Sequence, residues 1–427
     1  MPSRDLKVLG EGKTKIIYDI GDPDRPGVAL IHSKDIITAG DGVKRNTMEG
    51  KSVTSNRTAC LIFGYLTEIG IKNHFLGKHD DVSFLARRCH MIPLEFVTRR
   101  LATGSFLKRN PGVPEGYTFS PPKLETFFKD DENHDPQWST EQIIAKKFTY
   151  TAEKGGIKKE VVIGADEIHL MLQQTRTIFE VLEKAWRTRD CVLVDMKIEF
   201  GVDAETGEII LADIIDSDSW RLWPHGDKLQ MKDKQVYRDA KEVNEDKLKQ
   251  VKLNFDWIAD QLMDMFGSKH KVNGRVVIFM GSASDLNWAK SIQKEVEPFG
   301  IDTVLRVTSA HKTTEDALRA AAVYDADDVP TVFIAVAGRS NGLGPVLSGN
   351  VTSPVINCPP PSERIAEDVW SSLRLPTGLS CATLLTADAA ALHAANIIAL
   401  TDYKVWSKLK ARQYKQQAAI IGANGGM

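Results

Sequence analysis

The amino-acid sequence changes its pattern near residue 270, and this change limits the possible folds more than any other feature. Before it, short β-rich runs lie between long polar connections; after it, short apolar runs alternate with helical stretches. Such alternation predicts a parallel sheet with helices on both faces. We therefore expect a domain over residues 1–266, a linker over 267–274 and an α/β domain over 275–427.

The second part predicts a regular series of strands and helices. The apolar runs are of strand length, and the stretches between them have helical spacing. The predicted elements are, in order, strand Val276–Met280, helix Leu286–Phe299, strand Thr303–Val307, helix Glu315–Tyr324 and strand Thr331–Val336. In the first part, apolar residues at helical spacing from Leu248 to Met265 predict the helix that closes the domain.

Charge and composition exclude several classes of protein. The formal net charge of -2 argues against a general nucleic-acid binder. No apolar run is long enough to span a membrane, and the N-terminal segment lacks the apolar core of a secretory signal, so we expect a cytoplasmic protein. The five cysteines are widely spaced without a CxxC motif, which disfavours a zinc site or a disulfide framework.

The first part contains two segments suited to phosphate groups. Gly10–Lys15 (GEGKTK) lies between two β-like runs, where glycines allow close approach of backbone N–H groups and lysines supply charge. Arg99–Arg109 surrounds Thr-Gly-Ser with four basic residues, and guanidinium groups bind phosphate with two hydrogen bonds. The alternatives are a hairpin with solvated lysines and a solvated basic loop.

Two neighbouring runs predict a pair of carboxylates. Asp195, Lys197 and Glu199 alternate along a strand and therefore share one face. After a turn at Gly207, a second run leads into Asp213, so a hairpin would place Glu199 and Asp213 side by side. Two carboxylates beside a lysine suit Mg²⁺ carrying nucleotide phosphates. The alternative is a cross-strand ladder of salt bridges through Lys197.

These segments together resemble phosphoribosylaminoimidazole-succinocarboxamide synthetase. The matching pieces extend over about half of the chain in the family's order: EGKTK, SKDIITAGDG, MIPLEFVTRRLATGSFLKRNPG, FFKDDENHDP, LVDMKIEFG, DSWRLWP and KDKQVYR. The resemblance implies an α+β domain of the kinase/ATP-grasp-like synthetase kind. It also implies that ATP activates a carboxylate as an acyl phosphate, which the amine of L-aspartate then displaces.

The same resemblance implies roles for individual residues. ATP would be bound by Gly12, Lys13, Lys15, Met91, Glu95 and Lys197, with Lys15 and Lys197 also catalytic. Mg²⁺ would be held by Glu199 and Asp213. The ribonucleotide, chiefly its phosphate, would be bound by Arg99, Ser105, Arg221 and Arg238. Two departures from the family pattern are Ile214 after the metal aspartate and a predicted surface insertion at Glu153–Glu160.

In the second part, three loops follow predicted strands and would meet at one edge of the sheet. They are Gly281–Asp285 (GSASD), Thr308–Thr313 (TSAHKT) and Ala337–Pro345 (AGRSNGLGP). Ligands of open α/β sheets bind at the carboxyl ends of the strands, and free N–H groups at a helix start favour phosphate. The alternative for Asp285 is that it caps a helix. The alternative for His311 is that it is a loop residue without a role.

This part resembles phosphoribosylaminoimidazole carboxylase, with a flavodoxin/Rossmann-like fold. The match is carried by the three loops and by Pro354–Pro360 (PVINCPP). The form of the third loop implies direct use of CO₂, without ATP or biotin. The resemblance assigns proton transfer to His311. It assigns substrate binding to Ser282, Ser284, Asp285, Arg339 and Gly342, and it implies that Lys312 and Ser340 are catalytic residues that line the carboxylate region together with Arg339. It further implies a homo-octamer. The apolar segment Thr386–Leu400 is a candidate for packing between subunits, and the alternative is that it belongs to the buried core.

Two other functions fit parts of the pattern. A kinase-like phosphotransferase fused to a flavodoxin-like domain would use the same lysine hairpin and carboxylates, but neither an HRD-type loop nor a DFG motif is present. A nucleotide-sensing scaffold with inactive sites would have lost charged groups, whereas Lys15, Glu199, Asp213, Arg221 and His311 are all present. A nucleic-acid binder, the third alternative, would show an affinity for nucleic acid that depends on salt concentration.

Overall fold

The computed structural model describes residues 6–40, 43–240, 242–267, 271–361 and 366–425. The chain forms two compact units, residues 1–270 with 411–427 and residues 271–410. The predicted linker, 267–274, includes residues 268–270, which lie outside the described residues. In the described ranges, no helix has the length and apolar character needed to cross a membrane.

The first unit begins with a five-stranded antiparallel sheet of order β1-β2-β3-β7-β6. Helix α1 packs on this sheet through buried Ile62, Phe63 and Leu66. A separate hairpin, β4–β5, lies between β3 and α1 in the chain. The elements are β1 (Val8–Glu11), β2 (Lys15–Asp19), β3 (Val28–Ser33), β4 (Ile36–Ala39), β5 (Lys44–Thr47), α1 (Lys51–Glu68), β6 (Phe75–Lys78) and β7 (Ser83–Arg87).

A second antiparallel sheet contains the long strands β8 and β12. The remaining elements of this part are β8 (Cys89–Leu101), α2 (Ser105–Arg109), β9 (Thr118–Phe128), α3 (Thr140–Lys146), β10 (Thr149–Lys154), β11 (Ile157–Val162), α4 (Ala165–Arg187), β12 (Cys191–Asp203), β13 (Ile209–Ala212), β14 (Trp220–Pro224), α5 (Gln235–Arg238) and α6 (Glu245–Leu262). The sheet order is β13-β12-β8-β9, and β14 also pairs with β12. The predicted insertion forms the exposed turn of the β10–β11 hairpin.

Strand β12 is the centre of this sheet and positions three partner strands. Strand β8 lies along one side of β12. Along the other side, β14 pairs with residues 191–196 of β12 and β13 pairs with residues 199–202. Helix α4 covers the sheet with Ile178, Phe179, Leu182 and Trp186, all fully buried. Most of β12 is buried, so its charged residues are held in fixed positions.

The second unit is a five-stranded parallel sheet between two layers of helices. Its elements are β15 (Arg275–Met280), α7 (Leu286–Val296), β16 (Asp302–Val307), α8 (Thr314–Asp325), β17 (Thr331–Val336), α9 (Leu343–Ser348), β18 (Val355–Asn357), α10 (Trp370–Leu373), β19 (Ala382–Thr383), α11 (Ala387–Ile398) and α12 (Tyr403–Gly425), of which residues from Ala411 onward belong to the first unit. The strand order β16-β15-β17-β18-β19 is that of flavodoxin-like folds.

Alternation along β15 supplies both cores of this unit, which confirms the predicted fold class. Val276 and Ile278 join α7 and α11 on one face, whereas Val277 and Phe279 join α8 and α9 on the other. The predicted helices Leu286–Phe299 and Glu315–Tyr324 agree with α7, extended by a 3₁₀ turn to Phe299, and with α8. In Thr386–Leu400, Ala390, Ala394 and Ile398 are buried within the unit, so the segment contributes to the core.

Five free thiols are distributed over both units. Cys191 and Cys358 are buried, and Cys60, Cys89 and Cys381 are partly buried. Burial raises the pKa of Cys60, Cys89 and Cys358 to about 12 and that of Cys191 to about 11, and it also raises the pKa of Cys381. The thiols are therefore protonated at neutral pH, which agrees with the absence of a catalytic-cysteine motif.

His74 is a buried histidine in an aromatic cluster of the first unit. Its ring lies edge-on to Phe63 and Phe84, with ring centroids 5.0 and 5.6 Å away. The Nε2 atom is buried without a hydrogen-bond partner. Burial, assisted by the charge of Lys15, lowers the pKa of His74 to about 3. The folded protein therefore holds this ring neutral at a pH where the unfolded chain protonates it.

We expect His74→Phe to reduce the acid sensitivity of the first unit. Because the pKa of His74 is lower in the folded state, stability is retained above the unfolded value near 6.5 and lost as the pH falls below it. Between pH 7 and pH 5 this histidine should cost about 2 kcal/mol of unfolding free energy. Urea unfolding at both pH values measures the difference, with His169→Phe on the exposed face of α4 as the control. Equal pH dependence in wild type and His74→Phe would contradict the prediction.

Candidate active sites

A cluster of six charged side chains lies on one face of the second sheet in the first unit. We call it the β12 charge cluster; its members are Lys15, Glu95, Lys129, Lys197, Glu199 and Asp213. Glu199 faces Glu95 across the β12–β8 pair, and Lys197 lies two residues before Glu199 on the same face. The Lys197 Nζ donates to Glu199 Oε1 at 2.6 Å and lies 3.1 Å from Glu95 Oε1.

Asp213 enters this cluster because strand β13 ends just before it. The predicted strand Ile209–Ile215 stops at Ala212, and Asp213 has a left-handed backbone with φ 66°. Register places Ala212 opposite Glu199, and the carboxylates of Glu199 and Asp213 both lie within 4.0 Å of the Lys197 ammonium group. Asp213 forms an ion pair with Lys15 and lies 4.0 Å from Lys197 Nζ. The structure thus brings together the predicted carboxylate pair.

Lys129 belongs to the same cluster, although the sequence analysis did not single it out. Its Nζ donates to both carboxylate oxygens of Glu199, at 2.9 and 3.1 Å. It directly follows the apolar end of β9 in FFKDDENHDP. A charged residue immediately after a buried strand was the available signal, but it is common at strand ends and therefore weak.

The cluster shifts the pKa values of its members in opposite directions. The pKa of Lys15 is lowered to about 8, chiefly by burial, with a contribution from the charges of Lys197 and Lys129 and an opposing effect of Glu199. Burial alone would raise the pKa of Glu199, but Lys197, Lys129 and Lys15 lower it to about 2. Burial would lower the pKa of Lys197, yet Glu199 and Glu95 outweigh it and raise the value. Three ammonium groups thus balance three carboxylates, and Glu199 is ionised at any physiological pH.

The β1–β2 hairpin and the start of β8 lie beside this cluster. Gly12 N donates to Lys15 O at 2.9 Å and closes the hairpin turn. The exposed Lys13 Nζ lies 3.1 Å from Asp131. Met91 is 38% exposed and stands opposite Gly201 of β12. The hairpin therefore presents Lys13 and Lys15 differently, the first to solvent and the second to the buried carboxylates.

A second group of basic side chains gathers around Asp195. Arg99 Nη1 donates to Asp195 at 3.0 Å, and Arg221 donates to the same carboxylate. Arg99 also donates to Glu125 at 2.5 Å and is only 4% exposed. The register explains this arrangement, because β12 places Asp195 opposite Arg99 on β8 and Arg221 on β14. Arg99 is thus buried between two carboxylates, Glu125 and Asp195, and the sequence analysis predicted neither as its partner.

Arg221, Arg238 and the start of α2 form the accessible part of this group. Gln235 Oε1 accepts from Arg221 Nη2 at 3.3 Å and from Arg238 Nη1 at 3.4 Å. Burial and the charge of Arg221 lower the pKa of Arg238. Gly104, which precedes the exposed Ser105, has φ 58°, and a methyl group added there would lie 2.7 Å from Arg221 Nη2. The predicted anion-binding residues Ser105, Arg221 and Arg238 are therefore neighbours.

The residues present suit a magnesium ion bound together with nucleotide phosphates. Glu199 and Asp213 supply carboxylate oxygens, the donor type that Mg²⁺ prefers, and a nucleotide would supply the remaining ligands. No group of three or more His, Cys, Asp or Glu side chains suited to a metal occurs in the ranges that the structure describes. A fully protein-bound ion is therefore not indicated, whereas a two-carboxylate site fits the donor set.

In the second unit, the loops after β15, β16 and β17 contain the other predicted site residues. In the first loop, Ser284 Oγ donates to Ser282 Oγ at 2.8 Å, and Ser284 N donates to Ser282 Oγ at 3.3 Å. Burial raises the pKa of Asp285. Asp285 stands at the start of α7, but its side chain makes no capping hydrogen bond there. Hydrogen bonding therefore does not support the alternative interpretation of Asp285 as a helix cap.

The second and third loops meet at His311 and Gly342. A methyl group added at Gly342 would lie 2.8 Å from His311 Nε2, so the ring rests against the glycine backbone. Lys312 and Arg339 are exposed on the same two loops. Ser340 has a left-handed backbone with φ 42°, and its N–H donates to Asp368 Oδ1 at 3.1 Å. The strand order reverses between β15 and β17, which is where such sheets bind ligands.

We expect Gly342→Ala to lower the activity of the second unit about 10–100-fold, since the new methyl group must displace the His311 ring. Gly342 has φ −79°, so the substitution adds a steric contact without backbone strain. Gly349→Ala at the other end of α9 is the matched control, because its methyl group would meet the flexible Leu379 side chain at 3.1 Å. Steady-state kinetics of both variants test this; normal activity of Gly342→Ala would contradict it.

The fold and the two sites define a two-domain enzyme that acts on anionic, phosphate-bearing small molecules. The SAICAR synthetase family model matches residues 8–254 and the AIR carboxylase model matches residues 275–419. Multifunctional protein ADE2 of Gallus gallus is 54% identical over 95% of this chain and 92% of its own length. The bifunctional phosphoribosylaminoimidazole carboxylase/phosphoribosylaminoimidazole succinocarboxamide synthetase of Homo sapiens is 54% identical over 95% of this chain and 93% of its own.

Solved structures resemble the first unit. The phosphoribosylaminoimidazole-succinocarboxamide synthase of Ehrlichia chaffeensis is 28% identical, with a TM-score of 0.51, over 60% of this chain and 98% of its own. A SAICAR synthetase (Type-2) in complex with ADP is 30% identical, also with a TM-score of 0.51, over 60% of this chain and 98% of its own. The chain belongs to the family of bifunctional enzymes that combine SAICAR synthetase and AIR carboxylase domains. The predicted synthetase fold of the first unit is confirmed.

Proposed function

We propose that the second unit carboxylates 5-aminoimidazole ribonucleotide with CO₂, and that the first unit joins the product to L-aspartate with ATP and Mg²⁺. The products of the second reaction are the succinocarboxamide ribonucleotide, ADP and phosphate. The observation that carries this proposal is the β12 charge cluster beside the Arg221–Arg238 pair. One group suits a metal-bound triphosphate and the other suits a nucleotide monophosphate.

In the first unit, the nucleotide-binding residues are those of the β12 charge cluster and its surroundings. We assign the ATP phosphates to Gly12, Lys13, Lys15 and Lys197, the adenine side to Met91 and Glu95, and the metal to Glu199 and Asp213. When bound, Mg²⁺ neutralises phosphate charge and orients the γ-phosphoryl group. The ribonucleotide phosphate is assigned to Ser105, Arg221 and Arg238, with Arg99 acting from its buried position through Asp195.

The ligase chemistry needs charge compensation and positioning from these residues. The substrate carboxylate attacks the γ-phosphorus, the bond to the ADP oxygen breaks, and an acyl phosphate forms. The L-aspartate amine then attacks the acyl carbon, loses a proton, and phosphate leaves. Lys15 and Lys197 stabilise the charge that moves onto ADP. This scheme requires no nucleophilic side chain. The thiols, whose pKa values are raised by burial, are accordingly not assigned a role as nucleophiles.

The carboxylation requires removal of one proton from the imidazole carbon. That carbon attacks CO₂, and the proton that it carried is transferred to His311, which lies at the junction of the second and third loops. Ser282, Ser284 and Asp285 hold the nucleotide, while Lys312, Arg339, Ser340 and Gly342 line the carboxylate region. No ATP and no biotin take part. A cytoplasmic homo-octamer completes the proposal; its assembly is tested by sedimentation of the purified chain.

A coupled assay tests both activities in one experiment. Purified protein receives aminoimidazole ribonucleotide, bicarbonate, L-aspartate, ATP and Mg²⁺, and each component is then omitted in turn. We expect carboxylation without ATP, and ADP release that depends on aspartate. If the folded protein binds ATP but releases no aspartate-dependent ADP, the ligase assignment fails and the nucleotide-sensing scaffold is favoured. Aspartate-independent phosphate transfer to another acceptor would favour the kinase-like alternative.

A further inference from the structure

Two buried asparagines connect the third loop of the second unit to the sheet beneath it. Asn341, in the loop that carries Arg339, Ser340 and Gly342, is 4% exposed. Asn357, in the PVINCPP segment at the end of β18, is completely buried. Asn341 Nδ2 donates to Asn357 Oδ1 at 2.9 Å. The proposed function assigns no role to either side chain.

Backbone groups fix the orientation of both amides. Asn357 Nδ2 donates to the Ser372 carbonyl at 3.1 Å, and a carbonyl can only accept, so Asn357 Oδ1 must face Asn341. Asn341 Oδ1 accepts from Gly344 N at 3.0 Å, and a backbone N–H can only donate. Neither amide can rotate by 180° without placing like groups together. The pair therefore has one allowed arrangement.

The remaining hydrogen bonds complete this network. Asn341 Nδ2 donates its second proton to Ser372 Oγ at 3.0 Å, and Asn357 Nδ2 also donates to Thr383 Oγ1 at 3.4 Å. Ser371 Oγ accepts from Asn341 N at 2.8 Å. Each amide donor thus has a partner. A buried and fully satisfied polar network stabilises a single conformation, whereas loss of one member leaves an unpaired group.

Close packing holds the loop against this network. A β-carbon at Gly344 would overlap Asn357 Oδ1, so the loop backbone lies directly on that side chain. Two residues earlier, Gly342 contacts the His311 ring, as described above. The backbone from Asn341 to Gly344 is consequently held by asparagines on one side and faces His311 on the other. A shift of the network would move the surface against which the histidine rests.

We propose that Asn341 and Asn357 are positioning residues for carboxylation, which hold the Arg339–Gly342 loop in the geometry that the reaction needs. The proposal rests on the carboxylase assignment of the second unit. Neither side chain contacts the substrate; both act through the loop backbone and thereby through Gly342 and His311. It also accounts for the PVINCPP segment, since Asn357 lies there to support the loop.

Asn341→Asp tests the proposal, because it keeps the shape of the side chain but removes both N–H donors. We expect the kcat for carboxylation to fall about 10–100-fold, the range for residues that orient catalytic groups, with KM for the nucleotide changed less than about threefold. The nucleotide phosphate is held by the separate Ser282 loop, so its binding should persist. Asn350→Asp makes the same chemical change at an exposed position at the end of α9 and should be neutral.

A milder variant covers the case in which Asn341→Asp does not fold. Ser371→Ala removes the acceptor of Asn341 N and the hydrogen bond from Ser371 Oγ to the Asp368 carbonyl, but it leaves both amide side chains in place. It should lower kcat about threefold to tenfold. Ligase activity of the same preparations serves as the internal standard for folded protein. A carboxylation kcat within twofold of wild type for Asn341→Asp, or a loss confined to KM, would overturn the positioning role. If wild type itself fails to carboxylate the nucleotide, the function assignment fails instead.

Discussion

Replacing Glu199 with glutamine is expected to lower ligase turnover about 10³-fold while carboxylation continues at the wild-type rate. Glu199 is buried, contacts Lys197 and Lys129, and lies beside Asp213. The glutamine has nearly the same shape but cannot balance two ammonium groups or bind Mg²⁺ as a carboxylate. ADP release measured with carboxyaminoimidazole ribonucleotide, L-aspartate and Mg-ATP reports the loss.

Carboxylation by the Glu199→Gln preparation provides the control for folding of the second unit. The matched control for the substitution itself is Glu68→Gln at the exposed end of α1, where no change is expected. Circular dichroism and ATP binding in the absence of Mg²⁺ show whether the first unit is intact. A folded Glu199→Gln variant that retains more than a tenth of the ligase turnover would remove Glu199 from the proposed metal site.

Replacing His311 with asparagine is expected to have the complementary effect. Carboxylation should fall about 10²–10⁴-fold, the usual contribution of a residue that transfers a proton, while ligase activity is unchanged. His311 is exposed on its loop and rests against Gly342, so the substitution should not disturb the core. His169→Asn on the exposed face of α4 is the control. Retention of carboxylation would assign the proton transfer to another group.

A mixture of the two inactive variants separates the two activities further. Glu199→Gln supplies carboxylation and His311→Asn supplies ligation, so together they should convert aminoimidazole ribonucleotide to the final product. Full recovery of the rate in dilute solution would show that the intermediate passes through solvent. Recovery only at high protein concentration would indicate transfer within an assembly.

The sequence predicted the second unit more completely than the first. Apolar runs such as Val276–Met280 and Thr331–Val336 are buried on both faces, so their pattern depends little on distant contacts. In the first unit, the pairing of β12 with β8 joins segments about 100 residues apart in the chain, as in the pair Asp195 and Arg99. No local pattern specifies that β13 and β14 share one side of β12. The end of β13 at Ala212 likewise follows from the left-handed backbone of Asp213, which propensity does not predict.

The candidate site residues differ in the same respect: relations within one strand were predicted, whereas contacts between strands far apart in the chain were not. Lys197 and Glu199 were predicted to share a face because two-residue alternation is a local property of strands. Lys129 carried only the weak signal of a charge at a strand end, and tertiary pairing brings it to Glu199. Asp195 was predicted on the face of Lys197 and Glu199, but its arginine partners follow only from the pairing of β12 with β8 and β14. Arg99 was predicted at the substrate surface, and the structure buries it between Glu125 and Asp195, because its strand neighbours supply carboxylates on both sides. The resemblance named the Arg99 position, but only the fold shows what it touches.

The five free thiols, two of them buried and three partly buried, have a practical consequence for studying this chain. With pKa values raised by burial, they react slowly with maleimides and iodoacetamides at neutral pH. A single cysteine introduced at an exposed position in each unit would therefore be labelled selectively against a nearly silent background. Energy transfer between two such fluorophores could follow the distance between the units during turnover, without first removing any native thiol.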